Sequence, residues 1–244
     1  MKRILYFTFA VALLVTTAFA DNLELIPGHV PDDGEPIPTV MGRGGFSGRA
    51  PSYLVLVKVS GSPLGSWAGS GAFITQRLVL TCDHNVRGLK STKPLKIQCM
   101  DGTMYTNIEI AQRSPRYDLA LLRIKDPHVD RHHEIEIQDT HSTTPQIVAL
   151  GYDPQKGGMA LYRGKFDGRQ YGNGRHRKPV FRGHSCKVVQ GMSGGPLVDQ
   201  EYCLIGVHSA SSKATGSLAT RIECIREFLD RWPGPYDSLR MEKY

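Results

Sequence analysis

Six residues, Gly191-Met192-Ser193-Gly194-Gly195-Pro196, set three glycines around one serine. Glycine permits positive φ and a close backbone approach, so the N–H groups of Gly191 and Ser193 can converge on one point beside the Ser193 hydroxyl. Such a point is an oxyanion hole, where fixed donors meet a charge that develops only during reaction. The plain alternative is a glycine-rich turn, and the rest of the chain has to decide between the two. A serine hydroxyl is a poor nucleophile until a base removes its proton, so one of the nine histidines would have to reach it. His84 is the best placed. It follows the apolar run Leu78-Val79-Leu80-Thr81 after one Cys-Asp step, at a strand end from which a side chain can enter a cleft. His132 and His133 share a charged stretch, while His184 and His208 fall within strands.

A histidine base needs a carboxylate that fixes its tautomer and stabilises the imidazolium. Asp118 heads Leu119-Ala120-Leu121-Leu122-Arg123-Ile124, where an apolar strand enters a core, whereas Asp101-Gly102 and Asp126-Pro127 have turn chemistry. The alternative for Asp118 is a cap on a strand-edge turn.

These residues must be positioned by a scaffold, and its pattern is β. From Tyr53 onward the chain consists of short runs rich in β-branched and aromatic residues separated by Gly, Ser and Asp, which predicts a barrel or sandwich. Ile222, Ile225, Phe228 and Leu229 alone fall at helical spacing, before Pro233 ends the run. The first 20 residues open with Lys2 and Arg3, continue apolar and close on Ala18-Phe19-Ala20, the pattern of a secretory signal peptide cleaved after Ala20. Residues 21–52, with Pro27, Pro31, Pro36, Pro38 and a glycine run, are expected to form a flexible arm. Removing Lys2 and Arg3 lowers the net charge from +7 to +5, too mild a basicity to imply nucleic-acid binding. No later stretch is apolar enough to span a membrane, so a secreted or periplasmic protein is expected. Between Arg163 and Lys187 eight Lys or Arg residues face the single acid Asp167, either a solvated loop or one that draws acidic substrates. The five cysteines lack a Cys-x-x-Cys pair, which leaves zinc and thioredoxin chemistry without support.

As a set, Gly69-Ser70-Gly71-Ala72-Phe73-Ile74, Val79-Leu80-Thr81-Cys82-Asp83-His84, Tyr117-Asp118-Leu119-Ala120-Leu121-Leu122 and Gln190-Gly191-Met192-Ser193-Gly194-Gly195-Pro196-Leu197 resemble the trypsin-like serine peptidase superfamily. Leu204-Ile205-Gly206-Val207-His208-Ser209 is similar to its substrate-binding strand. The gaps of 34 residues from His84 to Asp118 and 75 from Asp118 to Ser193 look like the compact bacterial branch, the HtrA-type and glutamyl endopeptidase-type enzymes. The resemblance implies an all-β fold of two six-stranded antiparallel barrels and a C-terminal helix, with a peptidase domain over residues 53–232 and a tail over 233–244. It implies a serine endopeptidase acting on protein or peptide substrates through His84, Asp118 and Ser193, with Gly191 and Ser193 as oxyanion donors and no metal or cofactor. A protease-fold binding protein and an esterase are the alternatives. The resemblance also places Lys187, His208, Ser209, Ser211 and Ser217 around the pocket for the residue before the scissile bond. His208 stands where glutamyl endopeptidases carry a histidine that receives a carboxylate, which implies acidic residues there; the alternative is a packed His208, a solvent-facing Lys187 and a pocket for small apolar side chains, as in many HtrA-type enzymes. Disulfides between Cys82 and Cys99, and between Cys186 and Cys203, are expected on the same ground. Met192 replaces the acid that pairs with a new amino terminus in trypsin-like zymogens, so no such switch is expected.

Overall fold

The computed structural model describes residues 39–40, 52–62, 65–89, 94–129, 132–138, 146–172, 179–212 and 216–234. The predicted signal peptide, nearly all of the arm and most of the tail lie outside them. A first sheet is built from β2 (Leu54–Ser62), β3 (Gly65–Thr75), β4 (Leu78–Thr81), β5 (Leu95–Cys99), β6 (Met104–Tyr105), β7 (Ile108–Ser114) and β8 (Leu119–Ile124), in the order β6-β5-β2-β3-β4-β8-β7. All of its pairings are antiparallel, and β5 and β7 near its two ends come into contact. A second sheet holds β1 (Thr39–Val40), β9 (Ile147–Asp153), β10 (Gly158–Gly164), β11 (Phe166–Tyr171), β12 (Phe181–His184), β13 (Pro196–Val198), β14 (Leu204–Ser212) and β15 (Gly216–Arg221), in the order β1-β10-β9-β13-β14-β15-β12-β11.

Apart from the two-residue β1, the second sheet reaches the expected six strands in an instructive way. Strands β10 and β11 lie on opposite sides of the order, yet only Lys165 separates them in the chain. One bent strand therefore serves both β9 and β12, which closes the sheet without a further ladder. The first sheet has six longer strands plus the two-residue β6. Thr39–Val40 of the arm runs parallel to Met159–Ala160 on β10, one ordered pairing within a stretch expected to be loose.

Near-continuous apolar runs mark the central strands: β4 throughout and β2 from Leu54 to Val59 are buried, as expected of strands covered on both faces, and the core fills with Leu54, Leu56, Phe73, Leu80, Ile97 and Leu119. Helix α1 (Ile222–Asp230) buries Ile222, Ile225, Phe228 and Leu229, the one apolar stripe read from the sequence. Gln112 Nε2 donates to the Phe228 carbonyl at 2.7 Å, satisfying an acceptor at the helix end.

The disulfides are corrected by the strand order, for all five cysteines are free. Cys82 follows β4 and Cys99 ends β5, and β2 and β3 lie between those strands. A disulfide spans about 6 Å between Cα atoms, far less than three strand spacings of ~4.8 Å each. Cys203 precedes β14 at the end remote from Ser211, whereas Cys186 lies at the Ser211 end, because His184 registers with Ser217 and Ser217 with Ser211. No helix among the described residues is long and apolar enough to cross a membrane.

Candidate active site

Each sheet contributes half of one site. From the first, a single 3-10 turn over Asp83–Asn85 carries His84 just beyond β4, and Asp118 sits one residue before β8. Strands β4 and β8 pair as Thr81 with Ala120, which brings the two ends together. His84 Nδ1 lies 2.7 Å from Asp118 Oδ2, and the His84 backbone N–H donates to Asp118 Oδ1 at 3.0 Å. One carboxylate thus holds both the ring and the main chain of the histidine. Asp118 adopts φ 52°, a left-handed conformation that aspartate tolerates better than most residues. Burial pushes its carboxyl pKa up, but the His84 charge and the hydrogen bonds from His84 and Ser209 outweigh it, and the group lies below its ordinary value. The carboxylate is ionised.

From the second sheet, Ser209 on β14 donates to Asp118 Oδ2 at 2.5 Å, and its carbonyl accepts the Ser193 hydroxyl at 3.3 Å. Ser209 therefore links the carboxylate to the serine loop. That loop is zipped onto β14: Gly194 N–H donates to the His208 carbonyl at 2.8 Å and His208 N–H to the Gly195 carbonyl at 2.9 Å. Gly194 has φ 87°, and a Cβ there would come within 2.2 Å of the Ser70 carbonyl oxygen, so both conformation and space require glycine. Met192, Gly194 and Gly195 spend their N–H groups on Val189, His208 and Met192 carbonyls. Among the described residues the N–H groups of Gly191 and Ser193 have no acceptor. These are the two donors expected for an oxyanion hole.

The residues expected around the pocket divide. His208 is fully buried, with Nδ1 3.4 Å from Nε2 of His184, and its other ring nitrogen has no partner among the described residues. Burial, then His184 and His84, hold the His208 pKa well below its ordinary value. Burial likewise lowers His184 to about 4, against a smaller opposing pull from Asp167, so both imidazoles are neutral at pH 7. Ser217 donates to the Cys186 carbonyl at 3.0 Å, and Ser211 is exposed at the β14–β15 register Ser211 to Ser217. Lys187 is exposed, with its ammonium 5.6 Å from the centre of the Tyr162 ring. Cys82 donates to the His208 carbonyl at 3.1 Å, and burial raises its pKa well above the ordinary thiol value. Its Sγ, a His84 ring nitrogen and an Asp118 oxygen fall within 4.8 Å of one another, but the histidine and carboxylate are bonded to each other.

Several supporting residues escaped sequence reasoning. Asp83 is completely buried and bound by Arg113 Nε at 2.7 Å and Arg87 Nε at 3.0 Å, and Arg87 reaches Asp118 Oδ1 at 3.7 Å. Asn85 Nδ2 donates to the Ser193 carbonyl at 2.9 Å. The signal for Asn85 was present in Gly69, where a Cβ would meet the Asn85 amide at 2.4 Å.

Two antiparallel barrels with a histidine–carboxylate pair on one and a serine in a glycine loop on the other define the class of double-barrel serine hydrolases. The model of the trypsin-like peptidase domain matches residues 69–207, and the chain belongs to that family of serine-type endopeptidases. Among solved structures, the active form of the Rv3671c protease from M. tuberculosis superposes with a TM-score of 0.63 at 19% identity, covering 75% of this chain and 82% of that one. The HtrA-type protease AlgW with a tripeptide gives 0.63 at 22% identity over 75% of this chain and 60% of AlgW. The serine endoprotease from Yersinia pestis gives 0.60 at 20% identity, over 75% and 64%. At these identities the likeness is one of fold. No curated protein sequence matches the chain.

Proposed function

We propose that the protein is an exported endopeptidase in which Ser193, His84 and Asp118 act as a triad. The observation that carries this is the 2.7 Å hydrogen bond from His84 Nδ1 to Asp118, which leaves Nε2 of the same ring free to take a proton. Ser193 Oγ attacks the scissile carbonyl carbon as its proton passes to His84 Nε2. The carbonyl π pair moves onto oxygen, and the Gly191 and Ser193 N–H groups hold that oxyanion. On collapse the C–N bond breaks, His84 protonates the leaving amine, and an acyl-enzyme remains. Water, deprotonated by His84, attacks the ester carbonyl, and return of the proton to Ser193 Oγ releases the acid. In the free protein the Ser193 hydroxyl rests on the Ser209 carbonyl and turns to His84 when substrate displaces it, in line with the looser geometry of unliganded sites.

Acidic residues before the scissile bond are the favoured substrates in this reading. What supports it is His208 beside Ser209, held neutral and backed by His184. If His184 carries its proton on Nε2 and gives it to His208 Nδ1, the His208 proton is on Nε2, ready for a carboxylate. The His184 Nδ1 atom, buried without a partner, is then a lone pair rather than a stranded N–H. Export rests on the signal-peptide pattern that ends at Ala20.

The test is covalent labelling with a fluorophosphonate alongside peptide hydrolysis. Wild type should label and cleave; Ser193→Ala and His84→Ala should each lose activity by a factor on the order of 10⁴ or more, and the double variant should be little worse than either. Cleavage at wild-type rate by Ser193→Ala sinks the assignment.

A further inference from the structure

The Ser193 loop works only if its two free N–H groups face the same way, and the contacts that set their direction come from the other barrel. Ser70 lies on β3 of the first sheet and is completely buried. Its hydroxyl accepts from the Tyr152 N–H at 2.8 Å and donates to the Gly191 carbonyl at 2.7 Å. A hydroxyl has a single proton. With the Tyr152 amide already directed at the oxygen, that proton is committed to Gly191. The Ser70 N–H donates to the Ser193 carbonyl at 2.7 Å, a carbonyl that Asn85 Nδ2 also engages. The Ser70 carbonyl accepts from Thr81 Oγ1 at 2.7 Å. Every polar atom of Ser70 is used, and two of them hold carbonyls of the serine loop.

This fixes peptide planes. The Gly191–Met192 plane is held by its carbonyl on Ser70 and by the Met192 N–H on the Val189 carbonyl at 3.1 Å. The Ser193–Gly194 plane is held by its carbonyl on Ser70 and by the Gly194 N–H on His208. The Met192–Ser193 peptide, which carries one oxyanion donor, lies between two pinned neighbours, and the Gly191 N–H adjoins the first of them. Room for this contact is made by Gly151 on β9, where a Cβ would fall 2.9 Å from both Ser70 Oγ and Met192 Cα. Met192 itself is buried in an apolar cluster with Ile147, Ala149, Leu197 and Ile205, so no ion pair shapes the loop at that position.

We infer that Ser70 is a positioning residue that locks the Gly191 and Ser193 N–H groups in the oxyanion-binding orientation, making docking of the two barrels a condition for activity. The inference rests on the oxyanion role proposed above for those donors. Removing an oxyanion donor costs about 10²–10³ in kcat, and misdirecting one should cost a good part of that.

The experiment compares Ser70→Ala and Ser70→Cys with wild type, Cys being nearly the same shape with a weaker donor. Peptide hydrolysis, inhibition by a peptide aldehyde (whose hemiacetal oxygen occupies the hole) and affinity for a non-covalent product peptide are measured on the same preparations. For Ser70→Ala we expect kcat to fall about 10- to 100-fold with KM within about threefold, and aldehyde affinity to fall in parallel with kcat. Product affinity should hold, and Ser70→Cys should lie between the two. Wild-type kcat in both variants, or losses in which aldehyde and product affinity fall together, overturns the role. Ser193→Ala is run beside them: if it keeps full activity the triad reading has failed, whereas its inactivity with a fully active Ser70→Ala removes the Ser70 inference alone.

Discussion

The two halves of the site are held by opposite means. On the first barrel the geometry is ionic: Asp83 lies between Arg87 and Arg113, Arg87 extends to Asp118, and Asp118 grips His84. On the second barrel the Ser193 loop is held by backbone and hydroxyl hydrogen bonds and by the buried Met192, with two neutral imidazoles behind it. The difference suits the two tasks. In the mechanism proposed above, the half that takes up a proton has to stabilise an imidazolium, and an ionised carboxylate would do so. The half that would receive a developing anion works there through dipoles with unspent donors, and a fixed carboxylate would compete for them.

If this contrast is real, acid should weaken the neutral half first. His184 has its pKa lowered to about 4 from an ordinary 6.5, so the unfolded chain binds the proton more readily. Its contribution to stability is complete above pH 6.5 and is lost as the pH falls toward 4. The full span corresponds to about 3 kcal/mol, with about 2 kcal/mol of it gone by pH 5, and His208 acts in the same direction. Asp118, with a depressed pKa, loses its contribution only as the pH falls from its ordinary value of 3.8 toward the lower folded value. Denaturant unfolding at pH 7.5 and pH 5 should show this loss, and His184→Gln should flatten it. An equal slope in the variant would remove His184 as the cause.

The ionic half is broken most directly at Asp83. Asp83→Asn keeps the shape but leaves Arg87 and Arg113 without their buried anion. Losing one partner of a fully buried pair costs about 3–5 kcal/mol, and here both arginines reach solvent, so about 2 kcal/mol is expected. A chevron or urea titration at pH 7.5 measures it. A change under about 0.5 kcal/mol would mean that the network is surface decoration.

The chemistry of this site was more legible than its supports. Ser193, His84 and Asp118 stand out because the roles proposed for them, nucleophile, base and orienting acid, require those residue types at strand ends and glycine turns. Ser70 could not be found that way, because its role is a contact with a residue 121 positions distant. The His184–His208 pair was hidden likewise, since each looks like an ordinary strand residue until β12 and β14 are set on either side of β15. The misplaced disulfides have the same origin: chain order does not reveal that two strands separate Cys82 from Cys99. Strands, by contrast, were readable from short β-rich runs set off by Gly, Ser and Asp, and barrel closure through Lys165 was not, because it depends on one strand serving both edges.

The smallest effect concerns the pocket and separates a buried hydrogen bond from a surface charge. Peptides differing only in Glu, Gln, Ala, Val or Lys before the scissile bond should be cleaved with Glu preferred over Gln by about tenfold, the equivalent of one well-placed hydrogen bond to a carboxylate. His208→Ala should erase that ratio, because the donor is gone and no salt-screened attraction replaces it. Lys187→Ala should change it by no more than about threefold, since an exposed ammonium contributes a fraction of a kcal/mol. The Lys187 effect should also shrink as ionic strength rises, while the His208 effect should not. If Val or Lys peptides turn over as well as Glu, the acidic preference is wrong. If Lys187→Ala costs more than His208→Ala, selection lies in the charged rim, and the neutral histidine pair serves the stability of the second barrel alone.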